Sequence, residues 1–236
     1  DSSLGHGWTS SFAHHLVKTE NALILHEADG REVHFQEQED GVFVSETGKA
    51  RIIEVLADSY RLTEPDGATL DFDLQGRLTK IADRNGNSQA LSYEKGMLMK
   101  VDDSFGRTLE FGYDAENRLE SMITPIGTFD YAYDQGNLVL VADPSGASKQ
   151  YLYQDPEDPH NLTGIVNENG ILFTEIDYDD QDRAVSSTFP DDLYKVSIDY
   201  GDDPQTRVVT DSLGRETRYE ITYQSGIGRV VAAQGT

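Results

Sequence analysis

The chain has 236 residues, 37% of them hydrophobic, and its 43 acidic against 19 basic side chains give a formal charge of −24. Such a surface repels phosphate backbones and anionic headgroups, which all but excludes nucleic-acid binding and association with acidic membranes. The absence of cysteine removes disulfides, thiolate metal sites and thiol nucleophiles, and no run of about 18 apolar residues offers a membrane-spanning helix.

Residues 1–65 are expected to form a β-rich region ahead of a repeat. Leu4-Gly5-His6-Gly7-Trp8 holds the only tryptophan, expected to anchor the opening against the first strands. Leu23–His26 and Glu32–Phe35 flank Asp29-Gly30, a strong hairpin signal, and residues 42–44 and 51–56 give further strands. Taking Asp29 and Gly30 as the whole loop pairs His26 with Val33 and His34 with Leu25. The two imidazoles then point to opposite faces and share no ion.

From Asp66-Gly67 onward a phrase recurs, over residues 66–236. Gly76-Arg77-Leu78 runs through Ile81 to Asp83-Arg84-Asn85-Gly86, then Leu91 and Tyr93; Gly96-Met97-Leu98 runs through Val101 to Asp103-Ser104-Phe105-Gly106, then Leu109, Phe111 and Tyr113. Leu78, Leu98, Leu119, Leu138 and Leu162 are 20, 21, 19 and 24 residues apart, and Gly67, Gly86, Gly106, Gly127, Gly146 and Gly170 keep the same beat. Each copy has two short apolar runs closed by Gly- or Asp-bearing turns, which predicts one hairpin chained to the next. Leu78 and Ile81, like Leu98 and Val101, are three apart, a spacing that strict alternation sends to opposite faces. Either a recurrent bulge or a strand end between them accounts for it. Asp155-Pro156-Glu157-Asp158-Pro159 lengthens one turn into an exposed loop. The phrase is degenerate at Asp191–Tyr200 and returns at Asp211-Ser212-Leu213-Gly214-Arg215. The composition points to a thin, curved sheet wetted on both faces, not to a globule with a deep core.

Together Gly-Arg-Leu, Asp-x-x-Gly and Tyr-x-Tyr-Asp resemble the YD repeat of the Rhs (rearrangement hotspot) family, shared with insecticidal toxin-complex proteins and teneurins. Tyr113-Asp114, Tyr133-Asp134 and Tyr178-Asp179 carry the pair that names the repeat, and Tyr93-Glu94 departs from it by one methylene. Gly5-His6-Gly7-Trp8 resembles the opening that precedes the repeats in Rhs proteins. The resemblance implies an all-β fold, an arc of a spiralling sheet that wraps a hollow cocoon around a C-terminal toxin domain. It implies as partners the rest of the Rhs chain, the toxin cargo and a secretion apparatus, in a bacterial protein exported as part of something larger. Nothing near Asp1 resembles a signal peptide, and the sequence stops in mid-phrase at Thr236, as a fragment of a longer chain would. The family also contains a self-cleaving Asp-Pro-x-Gly segment. Asp143-Pro144-Ser145-Gly146 has those letters without the continuation, and an ordinary turn is expected there.

No catalytic residue, metal ligand or cofactor is expected. Asp177–Arg183 begins like a calcium loop, but Asp182 stands where that loop needs glycine and Thr188 where it needs a bidentate glutamate. The acids recur with the period, as turn-formers do, and none stands out as a glycosidase pair. No Gly-x-Ser-x-Gly elbow supports a serine nucleophile. Asn161-Leu162-Thr163 is a glycosylation sequon that matters only in a eukaryotic secretory host.

About 22–24 strands at roughly 4.8 Å make a ribbon about 105–115 Å wide, whereas a wall around a cargo of about 100 residues needs a circumference of about 140 Å. The expected function is therefore structural, a shell segment that encloses and does not react. An extracellular module binding glycan or protein is the alternative, and it predicts an exposed aromatic patch. A hydrolase on a β-solenoid would need a cleft of converging acids. Unpaired strand edges would also let copies of the fragment associate.

Overall fold

A computed structural model describes residues 2–46, 51–190, 194–224 and 227–235. Asp1, Thr236 and the start of the degenerate phrase, Asp191 to residue 193, lie outside the described residues. Twenty-two strands and, among the described residues, no α-helix make up the fold. The strands form one sheet of chained hairpins with antiparallel pairing. By packing, the chain divides into two units, residues 1–130 and 131–236.

The first unit begins with β1 (His15–Lys18), β2 (Ala22–His26), β3 (Glu32–Glu39), β4 (Val42–Ser45), β5 (Ile52–Val55), β6 (Ser59–Thr63), β7 (Thr69–Asp73) and β8 (Leu78–Ala82). Alternation sets one face of this ladder apolar. Leu23, Leu25, Phe35, Ile53, Leu62, Phe72 and Leu78 on that face are fully buried. The ladder turns back on itself: the Leu16 amide donates to the Gly76 carbonyl at 2.8 Å, and His15 forms a bridge with Arg77. With β1 against the turn that enters β8, the apolar face is enclosed, and each Leu or Phe buried there contributes about 1.5–3 kcal/mol.

This core corrects the expectation of a sheet wet on both sides throughout. Composition averaged over the whole chain hides an uneven distribution of apolar residues, and among the described residues Leu138 is the last buried apolar side chain.

The Asp29-Gly30 hairpin is also corrected. The Glu27 amide donates to the Arg31 carbonyl and the Gly30 amide to the Glu27 carbonyl, at 2.8 and 2.9 Å. The loop therefore holds three residues, a type I turn ending in a glycine bulge. The register moves accordingly to His26 opposite Glu32 and His34 opposite Ile24, which puts both imidazoles on the same outer face. His26 stacks on His15, ring centroids 4.4 Å apart, and its Nδ1 lies 3.2 Å from the Glu32 carboxylate.

The repeat continues through β9 (Ser88–Glu94), β10 (Met97–Asp103), β11 (Thr108–Tyr113), β12 (Leu119–Thr124) and β13 (Gly127–Asp134), the last of which runs past the division between units. Of the two readings of the three-residue spacing, the bulge is the one realised. Phe72 pairs with Leu78 but Asp71 with Lys80; Tyr93 pairs with Leu98 but Ser92 with Lys100; Tyr113 pairs with Leu119 but Gly112 with Ser121. One extra residue in each strand (Thr79, Met99 or Glu120) returns Ile81, Val101 and Met122 to the face of the preceding leucine.

The second unit holds β14 (Asn137–Ala142), β15 (Ser148–Leu152), β16 (Gly164–Val166), β17 (Leu172–Tyr178), β18 (Ala184–Thr188), β19 (Val196–Asp199), β20 (Thr206–Thr210), β21 (Glu216–Gln224) and β22 (Ile227–Gly235). The bulge recurs between β17 and β18, where Tyr178 pairs with Ala184 and Asp177 with Ser186. Its described side chains are nearly all half-buried or exposed.

Gly76 is the test of the closure. Its φ is +81°, and a Cβ there would stand 1.9 Å from the Leu16 carbonyl oxygen. At Gly86 and Gly106, φ is +88° and +82° and nothing lies within 4 Å of the added carbon. Substitution there carries only the left-handed backbone cost, about 1–2 kcal/mol. Thermal denaturation followed by circular dichroism should show Gly86→Val and Gly106→Val melting a few degrees below the parent and Gly76→Ala far below both. A Gly76→Ala protein that melts with the parent would remove the closure from this account.

Candidate functional site

The recurring site of this chain is the joint between the two strands of each copy. The Tyr93 hydroxyl donates to the Leu78 carbonyl at 2.8 Å, Tyr113 to Leu98 at 2.7 Å, Tyr178 to Leu162 at 3.0 Å, and Tyr200 to Ala184 at 3.0 Å. In each pair the tyrosine lies 15 or 16 residues after its acceptor, less than one period, so the bond ties the end of a copy back to its start. Burial raises the Tyr93 hydroxyl to about 12, against the opposing influence of the Arg77 cation, and burial also raises Tyr113 and Tyr178. These phenols stay protonated donors at any ordinary pH.

The aspartates organise the turns. Asp103 accepts from the amides of Phe105 and Arg107 on Oδ1, at 2.8 and 2.9 Å, while Arg107 Nε donates to Oδ2. Asp73, Asp114, Asp179 and Asp211 hold Arg77, Arg118, Arg183 and Arg215 in the same way. The same arginines reach the tyrosines: Arg77 lies over the Tyr93 ring at 5.3 Å and Arg183 over Tyr200 at 4.3 Å. Aspartate, arginine, tyrosine and leucine carbonyl thus form one connected clamp.

The repeat-defining glycines Gly67, Gly86, Gly106, Gly146, Gly170 and Gly214 all have φ between +74° and +88° and close five-residue turns, opened by aspartate except at Glu64 before Gly67 and Asn167 before Gly170, whereas Gly127, with φ +127°, follows the short Pro125-Ile126 turn. Leu78, Leu119 and Leu138 are buried, and Leu98 and Leu162 half-buried. Tyr93, Tyr113, Tyr133 and Tyr178 are all half-buried. Trp8 is half-buried too, its carbonyl accepting from the Ser2 hydroxyl at 2.6 Å.

The YD aspartates divide into two kinds. Asp114 and Asp179 anchor five-residue turns, but Asp134 precedes a two-residue turn in which Gln135 and Gly136 have φ +48° and +84°. Tyr93-Glu94 is followed by the same kind of turn, with Lys95 and Gly96 at +50° and +87°. There no arginine waits four positions on, and a glutamate serves as well as an aspartate.

The arginines are the functional residues that sequence reasoning passed over. An arginine four residues after a turn-opening aspartate, as at Asp73, Asp103, Asp114, Asp179 and Asp211, is the signal that marks them.

The opening segment lies on the tyrosine-bearing face of the repeat. Phe12 meets Phe111 edge-on at 6.3 Å, and the Leu119 amide donates to the Ser3 carbonyl at 2.7 Å. A second polar cluster sits at the closure. Arg51, 8% exposed, pairs with Glu27 at 2.9 Å and Glu64 at 2.5 Å. Burial lowers the His14 imidazole, with the nearby Glu27 raising it and Arg51 lowering it. Glu27 and Glu64 open turns of their own, but these longer side chains reach inward, and Asp29 and Asp66 bind the turn amides in their place. Among the described residues no three His, Asp or Glu side chains are grouped to hold a metal ion. In the calcium-like stretch, Asp179 is held by Arg183 and Asp177 accepts from the Ser186 hydroxyl at 2.6 Å.

Residues 1–35, the opening segment through the first half of β3, match the family described as a domain of unknown function, DUF6531. Over 97 residues the chain is 29% identical to the double-stranded DNA deaminase toxin A of Burkholderia cenocepacia (strain H111), a match covering 39% of this chain and 7% of that protein. Both matches agree with the resemblance of the repeated phrase to the Rhs/YD-repeat family. Solved structures similar to this chain include TcdB2-TccC3 without its hypervariable C-terminal region, at 15% identity and TM-score 0.48 over 89% of this chain and 14% of that one. The Photorhabdus luminescens Tc holotoxin pore is similar at 10% identity and TM-score 0.37, over 90% of this chain and 17% of that one. The chain spans 7% of the length of the curated relative it matches.

Two substitutions separate the parts of the clamp. Tyr113→Phe removes one of these tyrosine hydrogen bonds and should cost about 1 kcal/mol in a denaturant melt. Asp103→Ala tests the turn through pH. Hydrogen bonds, the Arg107 amide foremost, hold the Asp103 carboxyl below its ordinary 3.8. A depressed folded pKa gives stability that is present above the unfolded value and is lost as pH falls through the folded one. Repulsion among the other acids relaxes over the same range, so the informative quantity is the gap between parent and variant. The gap in melting temperature should be open at pH 7 and close as pH falls below 3.8. A gap that does not change with pH would mean that the carboxylate does not hold the turn.

Proposed function

We propose that this chain is a wall segment of an Rhs-type polymorphic toxin, built to enclose a C-terminal toxin domain carried elsewhere in the same polypeptide. The observation that carries this reading is the recurring clamp. Each tyrosine bond closes a copy on its own start, and the Asp73–Arg77, Asp114–Arg118 and Asp179–Arg183 turns join one copy to the next, so the sheet can be extended by adding copies. The work of such a wall is to exclude solvent and proteases from a cargo, and no residue in it has to react; the chain is therefore read as structural and not as an enzyme. Residues 1–65 serve as the pre-repeat region and 66–236 as the YD array. The glycines, leucines, tyrosines and aspartates of the phrase act as its joints. Its partners are the remaining Rhs chain, the toxin and the secretion apparatus that exports them from a bacterium. Free strand edges in the separated segment favour pairing between copies.

Limited proteolysis tests the reading on the full-length polypeptide. The C-terminal domain should resist protease in the intact protein and become cleavable when Tyr93 and Tyr113 are both replaced by alanine. Cleavage of the intact protein as fast as of the isolated domain would overturn enclosure.

One observation favours the second reading, an adhesive module. Phe173, Phe189 and Tyr194 meet edge to face with centroids 5.2 and 6.3 Å apart, and Phe173 and Tyr194 are exposed. An enclosing wall leaves such a patch unexplained, whereas a surface that meets another protein uses it.

A further inference from the structure

The apolar face of the first unit carries the same hollow twice. One, of about 270 Å³, is lined by Ile81, Asp83 and Phe105; the other, of about 380 Å³, is lined by Val101, Asp103 and Ile126. Each of the three positions recurs 20 or 21 residues on, so the two hollows are one feature of the repeat in consecutive copies. Val101 is buried, whereas Phe105 and Ile126 stand on turns and are 68% and 78% exposed. Gln89 and Arg107 line both hollows. Arg107 is held by Asp103, which leaves Asp83, answered only by amide groups, as an exposed charge.

The same face already takes a stretch of chain outside the strands. Leu109 lines the second hollow and shares a face of β11 with Phe111, on which the opening segment packs Phe12.

We propose that the two hollows dock a proline-rich peptide segment with a basic residue at one end. The spacing selects the conformation of the occupant. Two strand spacings of roughly 4.8 Å set the hollows about 10 Å apart. Three residues of polyproline II advance about 9.3 Å, so every third side chain meets a hollow. An extended strand repeats a face at about 6.7 Å and does not keep step. Two turns of α-helix advance about 10.8 Å, but a helix has committed its carbonyls to itself. Polyproline II leaves them unbonded, and the Gln89 amide is a donor that reaches into both hollows. Exposed aromatic and aliphatic side chains beside shallow hollows suit proline rings, and Asp83, in a protein of charge −24, selects a cation at the end of the segment. The docking goes beyond the wall reading, which requires no peptide here, and either can fail without the other.

Fluorescence anisotropy of a labelled peptide of three Pro-Pro-Leu units with a terminal arginine, titrated with the chain, tests the proposal. Saturable binding is expected. Phe105→Ala and Ile126→Ala should each weaken it about tenfold with the circular dichroism spectrum unchanged. Asp83→Asn should weaken the arginine peptide and spare one with glutamine in its place; asparagine holds the same turn at Asn167, so the fold is kept. The proposal is overturned if the arginine peptide does not bind, if its binding survives both apolar substitutions at full strength, or if Asp83→Asn affects the two peptides alike. Equal or tighter binding of a scrambled peptide, or of an alanine-rich helical one with leucines seven apart, overturns it as well.

Discussion

A hydrogen bond from the tyrosine that ends each copy to the main-chain carbonyl at its start is the constraint on which the rest of the sheet depends. A ladder of antiparallel strands satisfies its own amides but says little about how firmly one strand is set against the next. The bulge breaks that ladder at a regular place. The carbonyl that accepts the tyrosine belongs to the residue just before the extra one: Leu78 before Thr79, Leu98 before Met99, Ala184 before Val185. Bulge and tyrosine are two halves of one device. The bulge returns the second apolar residue to the leucine's face and upsets local pairing; the phenol supplies a donor where pairing is upset. Burial keeps that donor protonated.

The turn chemistry follows from the same requirement. A five-residue turn with a left-handed fourth position leaves two amides pointing inward, and a short carboxylate at its first position accepts both. Asparagine does this at Asn167, bonding the amides of Asn169 and Ile171. Only aspartate can also hold the arginine that lies over the next tyrosine. Where the turn has two residues, as after Glu94 and Asp134, that arrangement has no place, and the acid is free to vary.

Much of this was legible in the sequence because period, glycine and alternation are local signals. The spacing of Leu78, Leu98 and Leu119 marked the hairpins, and the three-residue step to Ile81 and Val101 pointed to a bulge or a strand end. The closure of the first eight strands was not legible. It rests on the Leu16 amide meeting the Gly76 carbonyl, two positions 60 residues apart, and no local pattern distinguishes Gly76 from Gly86. The hairpin at Asp29-Gly30 failed for a related reason. A two-residue loop and a three-residue loop with a glycine bulge use the same dipeptide, and the choice shifts every partner by one. The hydrogen bond between the Asn137 and His160 side chains was hidden as well, since the first belongs to the repeat and the second to an insertion that looked like an ordinary exposed loop.

The charge of −24 follows in part from the repeat itself. Most of these turns carry an acid at the first position, Asn167 being an exception, but an arginine four residues on is optional. Asp83 is answered by the amide side chain of Asn87, and Asp143 by Ser145 and the Ala147 amide. Each such copy adds a negative charge that no arginine four residues on offsets, and the excess grows with the number of copies. Hydrogen bonds lower both of these carboxyls, from Asn87 foremost at Asp83 and from Ser145 foremost at Asp143. A sheet made this way is acidic whatever its role. A hollow formed by the repeat recurs with it, as those beside Phe105 and Ile126 do, and whatever docks there has to keep its step.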